Sequence, residues 1–192
     1  MICNQMIYLK TERTIIRDHV PDDLPTHHQL LSDPQVMHYL PDIATDSFEA
    51  SKINLQNAID AIQNPQRTKY FLRIEERQTK AHIGEIGYTV SAFTPVGKLA
   101  GAGYFIHKAF WGQGYTSEAL AEVMRFAFEE NGVFRISCGC DKENAASERV
   151  MQRCGMIQEA DRRACFWHDG RMKDRVEYRL LQSEWMAKHR PV

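Results

Sequence analysis

The sequence has no excess of charge of either sign. Its 24 lysine and arginine residues are matched by 25 aspartate and glutamate residues, so no overall field favours nucleic acid or an anionic membrane as a partner. It also lacks an apolar run near the ~18 residues that a membrane-spanning helix requires, and it does not begin with a basic segment followed by an apolar one. These absences predict a cytoplasmic protein with no membrane and no nucleic-acid partner.

Cysteine is scarce and follows neither a disulfide pattern nor a zinc-site pattern. The five cysteines are odd in number and lack paired metal-ligand spacing. A free cysteine behaves as a small hydrophobic residue, and most of these lie inside apolar stretches. We expect mostly buried, reduced thiols and no bound metal. The cysteines are Cys3, Cys138, Cys140, Cys154 and Cys165.

The residues that are present fit one globular domain. A chain of 192 residues with 43% hydrophobic and 26% charged residues can bury a sizeable core. No repeat, low-complexity tract or internal linker divides it. We expect a single domain over residues 1–192.

Two glycines lie in a turn between a predicted strand and a predicted helix. The strand covers residues 104–107, the turn contains Gly112 and Gly114, and the helix opens at Thr116 and Ser117. Glycine lets backbone N–H groups approach a ligand, and a helix N-terminus attracts anions. The stretch predicts a phosphate site or only a tight turn. Nucleotide fingerprints are not met, because Ser117 stands where a third glycine is due and no Gly-Lys-Ser or Gly-Lys-Thr follows.

Helical spacing of apolar residues, with start and stop signals, predicts four main helices and a terminal helical turn. Asn144 is a natural N-cap of the fourth helix and Gly155 a natural C-cap. Residues 37–42, between the first two helices, predict either part of an acceptor pocket or a surface helical hairpin. The predicted ranges are 22–31, 47–62, 117–131, the segment between Asn144 and Gly155, and 183–186.

Short alternating or β-branched stretches predict the strands. Asp169-Gly170 predicts the turn of a closing hairpin, whereas residues 91–99, with Pro95 and Gly97, predict a loop. Strands interleaved with helices indicate an α+β or α/β sheet. The predicted strands cover 13–17, 70–74, 82–90, 104–107, 134–140, a segment from 156, and 176–180.

Two polar residues stand in apolar surroundings. Glu85 lies among apolar neighbours of a predicted strand, so it is either exposed by alternation or a partly buried base whose pKa is raised by desolvation. Ser147 shares a helical face with Val150, Met151 and Cys154, so its hydroxyl should point inward.

Two motifs about thirty residues apart resemble those of the GNAT superfamily of N-acetyltransferases. The run from Trp111 to Thr116 is similar to its pyrophosphate loop. Asn144-x-x-Ser147-x-x-Val150 is similar to a helix in the branch that contains the RimJ and RimL ribosomal-protein N-terminal acetyltransferases. The likeness covers a core of about residues 13–185, with Met156 in place of the usual phenylalanine.

The resemblance implies a GNAT-like α+β fold. Its sheet would be mixed, mostly antiparallel and twisted, with about seven strands, splayed central strands and about four flanking helices. It implies acetyl-CoA as co-substrate and a primary amine as acceptor, foremost the N-terminal α-amine of a ribosomal or other protein. A small amine (an antibiotic, a polyamine or an amino acid) is the alternative acceptor, and a non-catalytic CoA-binding module is the alternative of another class. A monomer or a homodimer would fit.

By the same resemblance, the pyrophosphate lies on the N–H groups of the glycine turn. The pantetheine arm runs between the strands 104–107 and 134–141 and pairs with the backbone at Phe105 and His107. A backbone N–H near Ile106 or His107 stabilises the oxyanion. The expected cofactor-binding residues are Phe105, Ile106, His107, Gly112, Gln113, Gly114, Tyr115, Thr116, Ser117, Asn144 and Ser147.

The implied reaction is direct attack of the amine on the thioester. Ser147 either donates a proton or a hydrogen bond to the departing sulfur or only packs its short helix. Glu85 is the first candidate for the base, with Asp141 and His107 behind it. An acetyl-enzyme on the cysteines at 138 and 140 is disfavoured, because no adjacent base is evident.

Overall fold

The computed structural model describes residues 6–189. Within that range the chain forms eight strands and five α-helices. The strands are β1 Tyr8–Lys10, β2 Thr14–Asp18, β3 Lys69–Glu76, β4 His82–Thr94, β5 Gly97–Ile106, β6 Val133–Asp141, β7 Ile157–His168 and β8 Arg171–Leu181. The helices are α1 Leu24–Leu31, α2 Phe48–Gln63, α3 Tyr115–Arg125, α4 Ala145–Arg153 and α5 Gln182–His189.

The strands form one open sheet in the order β1-β2-β3-β4-β5-β6-β8-β7. Strands β5 and β6 run parallel, and the pairs β1–β2, β2–β3, β3–β4, β6–β8 and β7–β8 run antiparallel. The parallel register runs from Lys98–Val133 to Gly101–Ser137, and both strands continue beyond it. The predicted mixed, mostly antiparallel GNAT-like sheet is confirmed.

Two strand predictions need correction. Strand β1 was not expected, because three residues with one buried side chain, Leu9, give too short a signal. The expected loop 91–99 is wrong, because β4 continues to Thr94 and β5 starts at Gly97. The Thr94 hydroxyl donates to the Gly97 carbonyl at 2.6 Å and closes this tight turn. Pro95 therefore marks a hairpin turn, where a missing N–H is harmless.

The chain divides into two compact units. The first contains the residues up to Thr89 together with Gly103–Val123. Helix α2 packs there against α1 and β3. The largest fully buried aliphatic side chains of this unit are Ile16, Leu30, Leu31, Leu72, Ile74, Ile83 and Leu120.

The second unit contains Val90–Ala102 and the residues from Met124 onward. Helix α5 packs against β6 and β8, and α4 packs against β6. Ile136, Val176, Leu180 and Trp185 are buried in this unit, and the Trp185 indole donates to Glu129 at 2.9 Å. The expectation of one domain for the whole chain stays a prediction.

The helix ends follow the expected cap chemistry. The Ser47 side chain caps α2 by accepting from the Ala50 N–H, and Gly155 follows α4 at φ +75°. The third helix is α-helical to Arg125 and continues as a π-helical turn over Phe126–Glu130, so it ends about where predicted.

The cysteine prediction is confirmed in part. Cys138 and Cys140 are buried free thiols, Cys154 is half-buried, and Cys165 is exposed on β7. Cys3 lies outside the described residues. Among the helices of residues 6–189, none combines the length and the apolar character needed to cross a membrane.

Candidate active site

The glycine turn of the first unit has the geometry of an anion site. Gly112 has φ +72° and Gly114 has φ +83°, backbone conformations that residues other than glycine rarely adopt. Helix α3 starts directly afterwards, with the Glu118 N–H donating to the Gly114 carbonyl at 3.1 Å. The N–H groups of a helix's first turn lack partners within the helix. They can therefore bind an anion.

A salt bridge and its hydrogen bonds hold this turn in place. The Arg13 Nε donates to Glu118 at 2.7 Å, and the Arg13 backbone N–H donates to the same carboxylate at 2.8 Å. The other end of the guanidinium reaches the turn, where Nη1 donates to the Gln113 carbonyl at 3.0 Å. Burial would raise the pKa of Glu118, but Thr11 and Arg13 hold it below its usual value. Sequence reasoning missed this support, because its partners lie about a hundred residues apart.

The end of β5 corrects the expected backbone contacts. The His107 N–H donates to the Ile83 carbonyl at 2.8 Å, so it cannot also bind an oxyanion or the pantetheine arm. A Cβ added to Gly84 would lie 2.4 Å from the Phe105 carbonyl oxygen, so that oxygen lies close to β4 at Gly84. Backbone groups of alternate strand residues point to opposite edges. The Ile106 N–H therefore stays a candidate for the oxyanion. The expected contact through the His107 N–H is wrong, and pairing of the pantetheine arm with Phe105 stays a prediction.

The Ile106 carbonyl has a partner of its own. It accepts from the Trp111 indole at 2.8 Å, which ties the tryptophan of the loop motif to the end of β5. Trp111 is 47% exposed, so the indole acts here as a positioning contact rather than a core residue. The sequence motif offered no signal for this contact.

Glu85 is buried, as the second of the two predictions expected, but its pKa is shifted in the opposite direction. It is only 7% exposed, and its Oε1 lies 2.5 Å from Nδ1 of His27. Its carboxylate also faces His19 at 3.8 Å and His82 at 3.7 Å. Burial alone would raise the pKa of Glu85, but these three histidines together hold it below its usual value. The expectation of an exposed residue and that of a raised pKa are both wrong.

The pKa values of His82 and His107 are also shifted. Burial is the main reason that the pKa of His82 falls to about 3, despite the opposing charge of Glu85. Burial also lowers the pKa of His107. A lowered pKa keeps an imidazole neutral near pH 7, so His107 is able to accept a proton there.

The second unit contains the other motif. The Asn144 side chain accepts from the Ser147 N–H at 3.0 Å and caps α4, as predicted. The Cys140 thiol on β6 donates to the Asn144 carbonyl at 3.8 Å. The Ser147 hydroxyl lies close enough to this thiol to lower its pKa, which places the Ser147 side chain near the end of β6.

The buried thiols near this motif are poor nucleophiles. Burial raises the pKa of Cys140 to about 11, although the Ser147 hydroxyl opposes the shift. Burial also raises the pKa of Cys154 to about 12. Because the thiolate is the reactive form, these values agree with direct attack on the thioester rather than an acetyl-enzyme.

Asp141, the second candidate for the base, ends β6 and is 5% exposed. One carboxylate oxygen accepts from the Glu143 N–H at 2.9 Å. The other is buried without a hydrogen-bond partner in the described part of the chain. A carboxylate oxygen in that state can accept a proton or a hydrogen bond from a ligand.

The segment expected to line an acceptor pocket is mixed in character. Met37 is buried in an apolar cluster with Leu30, Leu31 and Val36, whereas His38 is exposed. A pocket at residues 37–42 stays a prediction.

Comparison with known proteins gives one consistent family. The Acetyltransferase (GNAT) domain model matches residues 13–157. The chain is 26% identical over 185 residues to the uncharacterized N-acetyltransferase YnaD of Bacillus subtilis, covering 93% of this chain and 99% of that protein.

Solved structures share the fold over nearly the whole chain. One is RimL, a ribosomal L7/L12 α-N-protein acetyltransferase in complex with coenzyme A, with TM-score 0.80, 22% identity, and coverage of 94% of this chain and 99% of that one. Another is spermidine N-acetyltransferase from Vibrio cholerae in complex with CoA and spermine, with TM-score 0.78, 18% identity, and coverage of 92% and 99%. At these identities the likeness shows the fold.

Proposed function

The chain belongs to the GNAT acetyltransferase family and is an acetyl-CoA-dependent N-acetyltransferase, and on this premise we propose that its acceptor is the N-terminal α-amine of a protein. The observation that carries the proposal is the presence, in one chain, of the glycine turn and the Asn144–Ser147 cap, the two motifs that resemble the RimJ and RimL branch. The fold shared with RimL supports it. We also propose a cytoplasmic location and a monomer or homodimer.

The glycine turn is assigned to the cofactor's pyrophosphate. The N–H groups of Gln113, Gly114, Thr116 and Ser117 would hold the anion, with Tyr115 between them and Gly112 leaving room for its approach. Backbone amides suit this task because they offer positive charge without side-chain bulk. Arg13 supports the turn from the side of the Gln113 carbonyl.

The chemical step follows from the thioester. The neutral amine attacks the carbonyl carbon, the C–N bond forms, and the C–S bond breaks as the amine loses a proton. The Ile106 N–H is assigned to the oxyanion, a type of contact worth roughly 3 kcal/mol in other enzymes. Ser147 is assigned to the departing sulfur as a proton or hydrogen-bond donor, and Asn144 fixes it through the cap.

The base assignment favours an α-amine over a lysine side chain. Glu85 is ionised near pH 7 because its pKa is lowered, so it can accept a proton but only as a weak base. An α-amine, with a reference pKa near 8, needs less help than a lysine with a reference pKa near 10.4. Glu85 therefore suits an N-terminal acceptor better.

A small amine is the second candidate acceptor. It is favoured by the fold shared with a spermidine N-acetyltransferase over 92% of this chain. The chemistry of the thioester is the same in both cases, so the acceptor alone separates the two proposals.

The test is an acceptor panel. The protein is incubated with acetyl-CoA and N-terminal peptides, lysine peptides, spermidine or single amino acids, while thiol release and product masses are followed. We expect acetylation at the α-amine of peptides. Turnover with spermidine alone would replace the first proposal by the second, and tight CoA binding without any turnover would contradict both.

A further inference from the structure

A group of three buried side chains in the first unit has the composition of a transition-metal site. From His19, His27 and Glu85, one potential ligand atom each can be chosen such that all lie within 4.8 Å of one another. The three residues are 2%, 1% and 7% exposed. They come from three different elements, since His19 follows β2, His27 lies on α1 and Glu85 on β4.

Three of the four imidazole nitrogens of this group lack hydrogen bonds, and the fourth, His27 Nδ1, bonds to Glu85. Both ring nitrogens of His19 and the Nε2 of His27 are buried without a partner within residues 6–189. Buried polar atoms are nearly always satisfied, so an unsatisfied cluster indicates a missing water or ion. One ion can bind only one nitrogen of each ring, so the unpartnered atom that an ion beside the carboxylate would satisfy is His19 Nε2, which lies 3.8 Å from Glu85.

The charged side chains around the group do not neutralise the Glu85 carboxylate. Arg17 bonds to Asp23 and Glu75 at 2.8 and 2.7 Å. Arg73 lies 2.9 Å from Glu75 and 3.2 Å from Asp23. These two guanidinium groups and two carboxylates balance one another. Glu85 is left facing imidazole rings alone, and a buried carboxylate requires a counter-charge.

The neighbouring side chains fit outer-shell roles. His19 Nδ1 lies 3.5 Å from the Asp23 carboxylate, the arrangement in which a carboxylate orients a metal-binding histidine. His82 cannot serve as a further ligand in its present position, because its nitrogens face the Thr26 hydroxyl at 3.1 Å and the Gly84 carbonyl at 3.0 Å.

We propose that His19, His27 and Glu85 bind a divalent transition metal ion of the zinc class. In the metal-bound protein Glu85 is not available as the base, and that role falls to the other candidates, Asp141 and His107. Two imidazoles and one carboxylate suit zinc rather than magnesium or calcium, which prefer oxygen ligands. Tetrahedral zinc places such ligand atoms about 3.4 Å apart. The ligand atoms lie at most 4.8 Å apart in this structure, so binding zinc requires any two of them to approach by about 1.4 Å at most. Three protein ligands leave a fourth position for water.

Zinc itself is the probe, and the full chain is used without a histidine tag. Chelator-treated protein receives one equivalent of zinc chloride, excess metal is removed by gel filtration, and bound zinc is measured by atomic emission. We expect about one zinc ion per chain. The double variant His19→Gln with His27→Gln should retain almost none, while His38→Gln, which removes an exposed histidine, should retain the wild-type amount.

Two further measurements keep the proposal testable if the double variant does not fold. Glu85→Gln preserves an acceptor for His27 but removes the carboxylate. Loss of an outer-shell partner weakens metal binding by about 10–100-fold, and we expect this loss of a direct ligand to weaken zinc binding by more than that. Cobalt(II) in the wild-type protein should show the intense visible bands of a tetrahedral site.

Zinc retention in the wild type no greater than in the double variant would overturn the proposal, as would the weak spectrum of hexa-aqua cobalt. Either result would assign the counter-charge of Glu85 to a proton on an imidazole. The measurement reports bound metal and not turnover, so it does not depend on the proposed acceptor.

Discussion

At the scale of single residues, the contact between Ser147 and Cys140 is the most informative feature of the second unit. It places a hydroxyl near the end of β6, while the Asn144 cap fixes the backbone of Ser147. A hydroxyl on a fixed backbone is suited to donate to a sulfur that gains negative charge.

Replacing Ser147 with alanine should lower kcat by roughly 100-fold, the lower end of what a positioned proton donor contributes. The affinity for acetyl-CoA should change little, because the pyrophosphate is assigned to the glycine turn. Thiol release and calorimetric titration with CoA measure the two quantities. Ser137→Ala is the matched control, since that hydroxyl donates to the Ala100 carbonyl between paired strands. An unchanged kcat in Ser147→Ala would remove this residue from catalysis.

At the scale of elements, the turn before α3 combines two left-handed glycines with an open surface. A Cβ at Gly112 would have no neighbour within 4 Å, so the protein itself leaves that space for a ligand. Gly170, in the turn between β7 and β8, has nearly the same φ of +74° and is equally open.

This pair gives a controlled test of the turn. Gly112→Ala and Gly170→Ala should each lose about 1–2 kcal/mol of unfolding free energy, the usual cost of a left-handed residue with a side chain. Only Gly112→Ala should weaken CoA binding, by about 10-fold or more, because its methyl group occupies the approach to the N–H groups. Chemical denaturation and calorimetry provide the numbers. Equal CoA affinities in the two variants would show that the turn does not contact the cofactor.

Local chemistry explains which elements could be predicted from the sequence. The Asn144 cap and the glycine turn depend on residues within a few positions of each other, so their spacing was sufficient. The hairpin at 91–99 was misjudged because Pro95 and Gly97 are also typical of loops, whereas β5 is held by pairing with β6, more than thirty residues away. The environment of Glu85 was misjudged for the same reason, since His19 and His27 lie about sixty residues from it in the sequence.

At the scale of the whole molecule, the buried histidines make folding sensitive to acid. His82 has a pKa of about 3 in the folded protein, against 6.5 for a histidine in an unfolded chain. Between these values the unfolded chain binds a proton that the folded chain does not, so stability is complete above pH 6.5 and is lost as the pH falls toward 3. Carboxylates with lowered pKa values, such as Glu85, add to the loss only below about pH 4.5.

His82→Gln should therefore flatten the pH dependence of stability between pH 6.5 and 5. In the wild type this residue contributes a slope of at most about 1.4 kcal/mol per pH unit. The glutamine can still donate to the Gly84 carbonyl but does not titrate. Urea unfolding at several pH values measures the slope. If wild type and variant lose stability equally over this range, His82 is not the group responsible.

The binding of acetyl-CoA at the glycine turn can be observed most directly through the backbone amides themselves. Amide ¹H–¹⁵N spectra are recorded with coenzyme A and, separately, with pantetheine, which lacks the diphosphate. We expect coenzyme A to shift the amides of Gln113, Gly114, Thr116 and Ser117 strongly and pantetheine to leave them nearly unchanged. Saturating coenzyme A that leaves these four amides unshifted would contradict the assignment of this turn as the pyrophosphate site.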